Sequence, residues 1–276
     1  INPFARFGAH LAQALSAPDT DRLISWLTAL PGSAFEPRAR PPRGHWVVCG
    51  YGRFGREVVA ALRDQGLDVS VIDTGERPIA GLRSIRGTGT EAEPLLAAGI
   101  RESVGIVAGT DDDIANLSIA VTARELNADL FVVVRQNLQA NGPLFEAFAA
   151  DVTMISSEVI ANECLAVIQT PRLADFLALA RRESVDWSAG AVERLGAVLG
   201  ARAPEVWSVT VDAATTPALV QALSSGAKIE LGTLARNPRD RHQPLPIIAL
   251  GLYRRGRLAT FPDPAERLQS GDEVLY

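Results

Sequence analysis

A chain of 276 residues, 47% hydrophobic and 21% charged, is long enough to bury two cores and too apolar to be disordered. Its net charge of −5 argues against a general nucleic-acid-binding surface. No apolar run approaches the roughly 18 residues of a membrane span, no signal peptide is visible, and the two cysteines, Cys49 and Cys164, sit in apolar surroundings that fit reduced cytosolic thiols. The chain starts at Ile1 rather than Met and ends in a strand-like run at Tyr276, which reads as a piece of a longer protein whose other parts could include a membrane segment.

Residues 1–44 stand apart. Phe4–Leu15 and Asp21–Leu30 each have helical spacing, with Asp19 or Thr20 available to cap the second. Pro37-Arg-Ala-Arg-Pro-Pro-Arg-Gly44 then reads as an extended connector whose arginines are solvated.

From His45 the pattern becomes strand, helix, strand, helix. Strands are expected at Trp46–Cys49, Val69–Ile72, Leu82–Gly87, Val104–Ala108, Leu130–Val134 and Val152–Ile155. Helices are expected at Phe54–Gln65, Glu91–Ala98, Asp112–Leu126 and Leu138–Ala149, the third capped by one of the acids in Asp111-Asp-Asp113. Strands separated by helix-length segments imply a parallel sheet with right-handed crossovers. In Asp112–Leu126 the apolar residues spread over more than one face, as in a helix that packs on its own sheet and on a partner subunit.

Glu158–Gln169 and Arg172–Arg182 read as a helical pair broken at Thr170-Pro171, followed by a helix at Ala189–Leu199. Beyond Pro204 the texture becomes strand-rich: strands at Val206–Val211, Ala227–Leu234, Ile247–Tyr253, Arg257–Phe261 and Glu273–Tyr276, with a short helix at Pro217–Leu223. The fold class is therefore α/β, a Rossmann-like parallel-sheet domain followed by a helical crossover and a small α+β domain. The expected boundaries are 1–44, 45–170, 171–203 and 204–276.

The chemistry concentrates at the end of the first strand. Gly50-Tyr51-Gly52-Arg53-Phe54-Gly55 joins it to a helix, and Asp73 closes the second strand eighteen residues after Gly55. Gly50 permits the turn, Gly52 lets a pyrophosphate approach the backbone, and Gly55 lets the helix pack close to the sheet. Asp73 can accept hydrogen bonds from a ribose diol and disfavours a 2′-phosphate. Arg53 at the helix start is a candidate phosphate contact. Gly109, Thr110 and Asp111 after the fourth strand, and Arg135 after the fifth, lie at the same carboxyl edge of the sheet, where ligands bind in such folds. Each also has a plainer reading, capping for Thr110 and Asp111 and a salt bridge for Arg135. Three consecutive carboxylates at 111–113 do not converge well on one cation, so no metal site is assigned.

These residues resemble the RCK (regulator of K⁺ conductance) family, which includes Trk- and Ktr-type potassium-uptake regulators and channel gating domains. The resemblance rests on Val47–Gly55, Val71-Ile-Asp73, Gly87-Thr-Gly-Thr90, Ala108-Gly-Thr-Asp-Asp-Asp-Ile-Ala-Asn116, Ala150-Asp151 and Leu268-Gln-Ser-Gly-Asp-Glu-Val274. It spans about residues 45–276, and Thr88 stands where the family commonly carries Asp. The resemblance implies a nucleotide sensor holding NAD(H), or alternatively ATP or ADP, on Gly50–Gly55, Asp73, Thr74, Thr88, Gly109–Asp111 and Arg135. It further implies a homodimer or larger ring, a membrane potassium channel or transporter as partner, a cytoplasmic place at the inner membrane face, and a potassium-transport role without nucleic acid.

The rival reading is a nicotinamide-dependent oxidoreductase. Hydride chemistry needs a placed acid or base. His10 lies in the N-terminal segment, His45 at the opposite sheet edge and His242 in a polar loop, while the single lysine, Lys228, lies in the small domain. A DNA-binding redox sensor would need a basic winged helix that residues 1–44 do not supply. The expectation is a regulator and not an enzyme, with the loop around Arg236–His242 left as a solvated segment.

Overall fold

The computed structural model describes residues 2–35, 39–75, 80–155 and 170–276. The expected helix Glu158–Gln169, with Cys164, lies outside them. The chain divides into two compact units, one comprising Ile1–Asp21 with Pro37–Ala161, the other Arg22–Glu36 with Asn162–Tyr276.

In the first unit, β1 (Trp46–Cys49), β2 (Val69–Asp73), β3 (Arg83–Arg86), β4 (Gly105–Ala108), β5 (Phe131–Gln136) and β6 (Val152–Ile155) form one sheet. Its order is β3-β2-β1-β4-β5-β6 and every pairing is parallel. This order reverses direction at β1, which leaves a crevice at the carboxyl ends of β1 and β4. The strands read as continuous apolar runs because both faces are covered. Trp46, Val48, Val69, Val71, Val107, Phe131 and Val133 face α3 (Arg53–Asp64) and α1 (Pro3–Ser16), meeting Val58, Leu62, Phe7 and Leu11. Val47, Cys49, Ile72, Ile106, Val132 and Val134 face the other way, onto Leu95 of α4 (Ala92–Ala97), Ile119 and Ala123 of α5 (Asp113–Leu126) and Phe145 of α6 (Gly142–Phe148). At roughly 1.5–3 kcal/mol for each large buried side chain, these two layers dominate the stability of the unit. Gly105 opens β4 because Trp46 lies across it; a Cβ there would come within 2.6 Å of the indole. Burial pushes the Cys49 thiol up to about 12, which marks it as an inert core group.

The N-terminal segment serves both units. Asn2 caps α1 through its side chain, and Pro3 occupies the first turn. The second helix, α2 (Pro18–Thr28), begins at Pro18, so Asp19 lies in its first turn and not ahead of it. The connector is tied down: Arg40 pairs with Asp19 at 3.2 Å, Arg43 donates to the Gln65 carbonyl at 2.8 Å, and Trp46 Nε1 donates to the Pro42 carbonyl. Two of the arginines expected to be solvated therefore have structural partners. The expected helix Leu138–Ala149 is a single 3₁₀ turn, Gln139–Asn141, followed by α6, because Pro143 lacks an N–H and belongs in a first turn.

In the second unit β7 (Ser208–Thr210), β10 (Gly251–Arg254), β11 (Arg257–Thr260) and β12 (Glu273–Leu275) form an antiparallel sheet in the order β11-β10-β12-β7. It packs with α2, α7 (Pro171–Ala180) and α8 (Val185–Leu199) around Leu23, Trp26, Phe176, Leu177, Leu195 and Leu250. Trp26 Nε1 donates to the Arg202 carbonyl at 2.8 Å, which satisfies the one polar atom of a buried indole. A further helix, α9, spans Pro217–Ser224. The turn before β12 is built on Gly271, at φ +89°, and on Asp272, which is 1% exposed and accepts from Arg254 and from the Gln269 N–H.

One expected strand fails here. Ala227–Leu234 is not a strand: Glu230 makes one bridge to Arg267, and Leu231–Leu234 turns into the short helix α10. The Leu231 and Gly232 N–H groups are taken by the Glu266 and Pro264 carbonyls, and Gly232 packs so closely on Pro264 that a Cβ would meet it at 3.0 Å. The polar loop that follows is an exposed antiparallel hairpin, β8 (Arg236–Asn237) with β9 (Asp240–Pro244).

At the amino edge of the large sheet His45 is held between two serines. Ser103 Oγ donates to the Gly99 carbonyl, so it accepts from Nδ1–H, and Nε2 then accepts from Ser70 Oγ at 2.8 Å. Burial is the main cause that lowers the pKa of His45; Arg83 adds to the fall, while Asp68 and Glu102 oppose it. A histidine neutral in the folded state and titrating at 6.5 when unfolded stabilises the fold fully above 6.5. That contribution falls as pH drops from 6.5 toward the lower folded value. Denaturant titrations should show stability declining over this window in the wild type and a flatter profile in His45→Gln.

Candidate functional site

The glycine loop leaves β1 at Gly50, whose φ of +92° is open to glycine and strained for other residues. The Gly50 N–H bonds the Ile72 carbonyl, and a Cβ on Gly50 would meet the Gly109 carbonyl oxygen at 3.2 Å. Gly55 has no room for any side chain, because its Cβ position overlaps the carbonyl oxygen of Gly50. Gly52 is the opposite case: nothing lies within 4 Å of where its Cβ would be. It is the N-cap of α3 and supplies no side-chain cap. The first N–H groups of this twelve-residue helix therefore receive no side-chain cap from the residue before it.

Asp73 ends β2 beside this loop. Its Oδ2 accepts from the Tyr51 N–H at 2.6 Å and its Oδ1 from the Gly75 N–H at 2.8 Å. Each oxygen retains a further acceptor position, so the carboxylate braces the loop and can still take hydroxyl donors. Thr74, next along, is exposed. Thr88 is also exposed, and its hydroxyl is shared with Thr90 at 2.9 Å.

Across the crevice, Gly109 packs under Phe54, whose ring would lie 2.6 Å from a Cβ at that position. Asn116, fully buried, organises the turn after β4. Its Oδ1 accepts from the Thr110 N–H and hydroxyl, while its Nδ2 donates to the carbonyls of Thr110 and Arg135. It therefore ties the ends of β4 and β5 together. Of the three acids, Asp112 caps α5, accepting from the Ile114 and Ala115 N–H groups. Asp113 turns inward, taking the N–H groups of Asn137 and Leu138 and the amides of Asn137 and Asn141. Burial pushes the Asp113 carboxyl up, but these four donors outweigh it and hold it below the ordinary value. Asp111, 91% exposed, pairs with Arg135 at 2.6 Å. The acids thus point three ways, and among the described residues no cluster of metal-ligating side chains forms.

Arg135 has a side chain only 11% exposed. Its guanidinium lies over the ring of Phe4 at 4.8 Å and of Phe54 at 5.6 Å, and its buried Nε has no hydrogen-bond partner. Arg53 is exposed and lies over Phe4 from another side, at 5.8 Å. Asn2 Nδ2 donates to Glu57 of α3 at 3.1 Å, which fixes the start of α1 there. The sequence reading missed Phe4 at this site because it belongs to a helix read as a separate segment. It also missed Asn116 and Asp113 as organising residues, although their spacing behind β4 was in view.

A glycine turn with an uncapped helix behind it, an acid on the next strand and a switch-point crevice define a Rossmann-type nucleotide-binding domain. Residues 46–156 match the family model of the TrkA-N domain. Over 88 residues, 30% of this chain and 40% of the relative, the chain is 36% identical to the Trk system potassium uptake protein TrkA of Streptomyces coelicolor. Over 137 residues, 45% of this chain and 60% of the relative, it is 28% identical to a Trk system potassium uptake protein TrkA homolog of Pyrococcus horikoshii. Among solved structures, the GsuK channel bound to NAD overlays with a TM-score of 0.44 at 18% identity, over 86% of this chain and 36% of that one. The chain thus spans 40% and 60% of the lengths of these two uptake proteins. Among the described residues no helix is long and apolar enough to cross a membrane.

Asn116→Ala would strand the Thr110 N–H and the two carbonyls its amide now serves. With each buried unsatisfied group costing about 1–3 kcal/mol, a loss of about 3 kcal/mol is expected in urea unfolding. Asn116→Asp, which sets a buried carboxylate oxygen against those two carbonyls, should cost at least as much.

Proposed function

We propose that this chain is the nucleotide-sensing module of a potassium channel or potassium-uptake system, with NAD(H) as ligand and ATP or ADP as the alternative. The observation that carries the reading is the open space over Gly52 at the uncapped start of α3, beside a carboxylate that already grips the same loop. Phosphate would take the free N–H groups of α3, and Arg53 would add charge from the exposed side. Asp73 would accept the ribose hydroxyls and repel a 2′-phosphate. Gly109, Thr110, Asp111 and Arg135 form the far wall of the crevice, with Thr74 and Thr88 beyond the ribose. The family match is to proteins of potassium uptake, which supports a regulatory module. Its place is the cytoplasmic side of the membrane, held there by the transport partner.

Calorimetry should show saturable binding of NAD, NADH, ATP or ADP, and at least tenfold weaker binding of NADP, since one lost or opposed charged hydrogen bond costs about 1.4 kcal/mol or more. Gly52→Val should abolish binding with little change in melting temperature, because its side chain enters open space. Equal binding by Gly52→Val, or turnover of bound NADH with small carbonyls, would overturn the reading.

Assembly is part of the same proposal. Ile114 and Val121, seven residues apart on α5, are 62% and 45% exposed, and Leu138 and Leu144 are 62% and 50% exposed on the segments that follow β5. Large apolar side chains on one helix face with no cover in their own unit suit a second copy of the chain. Ile114→Asp with Val121→Asp should shift the chain from dimer to monomer in sedimentation at micromolar concentration; an unchanged distribution would rule out this face. A ligand moves such an assembly only through different affinities for its states. Nucleotides that bind equally well should therefore differ in their effect on sedimentation or on distances between spin labels.

A further inference from the structure

The second unit contains a groove that the nucleotide reading does not use. It encloses about 620 Å³ between α7, the β10–β11 hairpin and the turn before β12. That is the size range of small-molecule sites. One wall is fixed by Arg172. Its Nε bonds Glu273 at 2.6 Å, its Nη1 meets Asp175 at 3.3 Å, and the guanidinium stacks on Tyr253 at 4.6 Å. The Tyr253 hydroxyl returns a hydrogen bond to the Arg172 carbonyl at 2.8 Å. The hydrogen bond that Arg172 donates to Glu273 leads the causes that raise its pKa, and with two carboxylates on one guanidinium this wall is a paired clamp with no spare positive charge. Leu179 and Leu258 add apolar surface to the lining.

Two further arginines line the same groove, Arg182 two residues past the end of α7 and Arg255 at the hairpin tip. Both residues are exposed, and neither side chain meets an acid among the described residues. Arg255 is also an improbable choice for its backbone. It pairs with Gly256 in a two-residue turn, at φ +50° and +76°, between the paired residues Arg254 and Arg257. Such turns favour Asn-Gly or Gly-Gly, and a long side chain in the left-handed region costs about 1 kcal/mol. A residue kept at such a position against its backbone preference points to a use for its side chain.

We propose that this groove is a second effector site, which binds a small organic oxyanion: a phosphate ester or carboxylate whose charge is held by Arg182 and Arg255 while its apolar body rests on Leu179, Leu258 and the Tyr253 edge. Guanidinium forks match both oxyanions in geometry, and two unpaired forks on separate elements can grip one ligand from two sides. The site belongs wholly to the second unit and is independent of the glycine loop.

The test is calorimetry of the whole chain with phenyl phosphate, benzoate and phenol. Phenyl phosphate or benzoate should bind saturably, phenol should not, and the tighter of the two anions identifies the ligand class. Arg182→Gln and Arg255→Gly should each weaken that binding about tenfold. Arg255→Gly relaxes the turn, so an unchanged or higher melting temperature would show that the loss is not unfolding. Gly52→Val should bind the probe as the wild type does, which separates this site from the nucleotide site. Absence of anion binding to the wild type, or equal binding by the Arg182→Gln, Arg255→Gly double variant, would overturn the proposal.

Discussion

The geometry of the first unit depends on one backbone contact, the seating of Gly55 against the carbonyl of Gly50. Because neither residue carries a side chain, α3 can begin within a few residues of the end of β1 and lie close to the sheet. That closeness lets Val58 and Leu62 reach Val48 and Val71 in the core and directs the first N–H groups of α3 at the crevice. A side chain at Gly55 would have to push the helix away and lose these core contacts.

The crevice has a second organiser on its far side. Asn116 answers the polar groups exposed where β4 and β5 stop pairing, and Asp113 does the same for the segment after β5. The carboxyl edge of the sheet is thus preorganised by buried amide and carboxylate groups. Asp111 and Arg135 are left to face each other across the surface, with Phe4 and Phe54 holding the guanidinium in place. The guanidinium is thus fixed by its ion pair and by the two rings that cover it.

Much of this was legible in the sequence because the parallel sheet writes itself in uninterrupted apolar runs, and because glycine at 50, 52 and 55 has few meanings in front of a helix. The strands of the large sheet were expected to within a residue or two of their observed ends. What stayed hidden depended on contacts between residues far apart in the chain. Ala227–Leu234 has the apolar content of a strand, yet the carbonyls of Pro264 and Glu266 capture its N–H groups and turn it into a helix. Phe4 shows no functional signal of its own; it matters because α1 docks on α3, which no local pattern reveals. The hairpin at 236–244 is exposed on every residue of its second strand and carries no apolar alternation, so periodicity gave nothing to read.

The double duty of Asp73 bears on why this fold suits a receptor. In a dehydrogenase the loop need only hold the cofactor still while a separate acid or base performs the chemistry. Here the carboxylate that would meet the ribose also grips the Tyr51 N–H, within the loop that would meet the phosphates. Ligand hydroxyls donated to Asp73 would share the carboxylate with that N–H, so binding would act directly on a hydrogen bond on which the loop's conformation depends. Occupancy and loop order become one equilibrium, and any surface packed on α3, Phe4 of α1 included, is linked to it. In such a network the free energy of binding can reach residues that never touch the ligand, which is what a sensor requires and a hydride-transfer site does not.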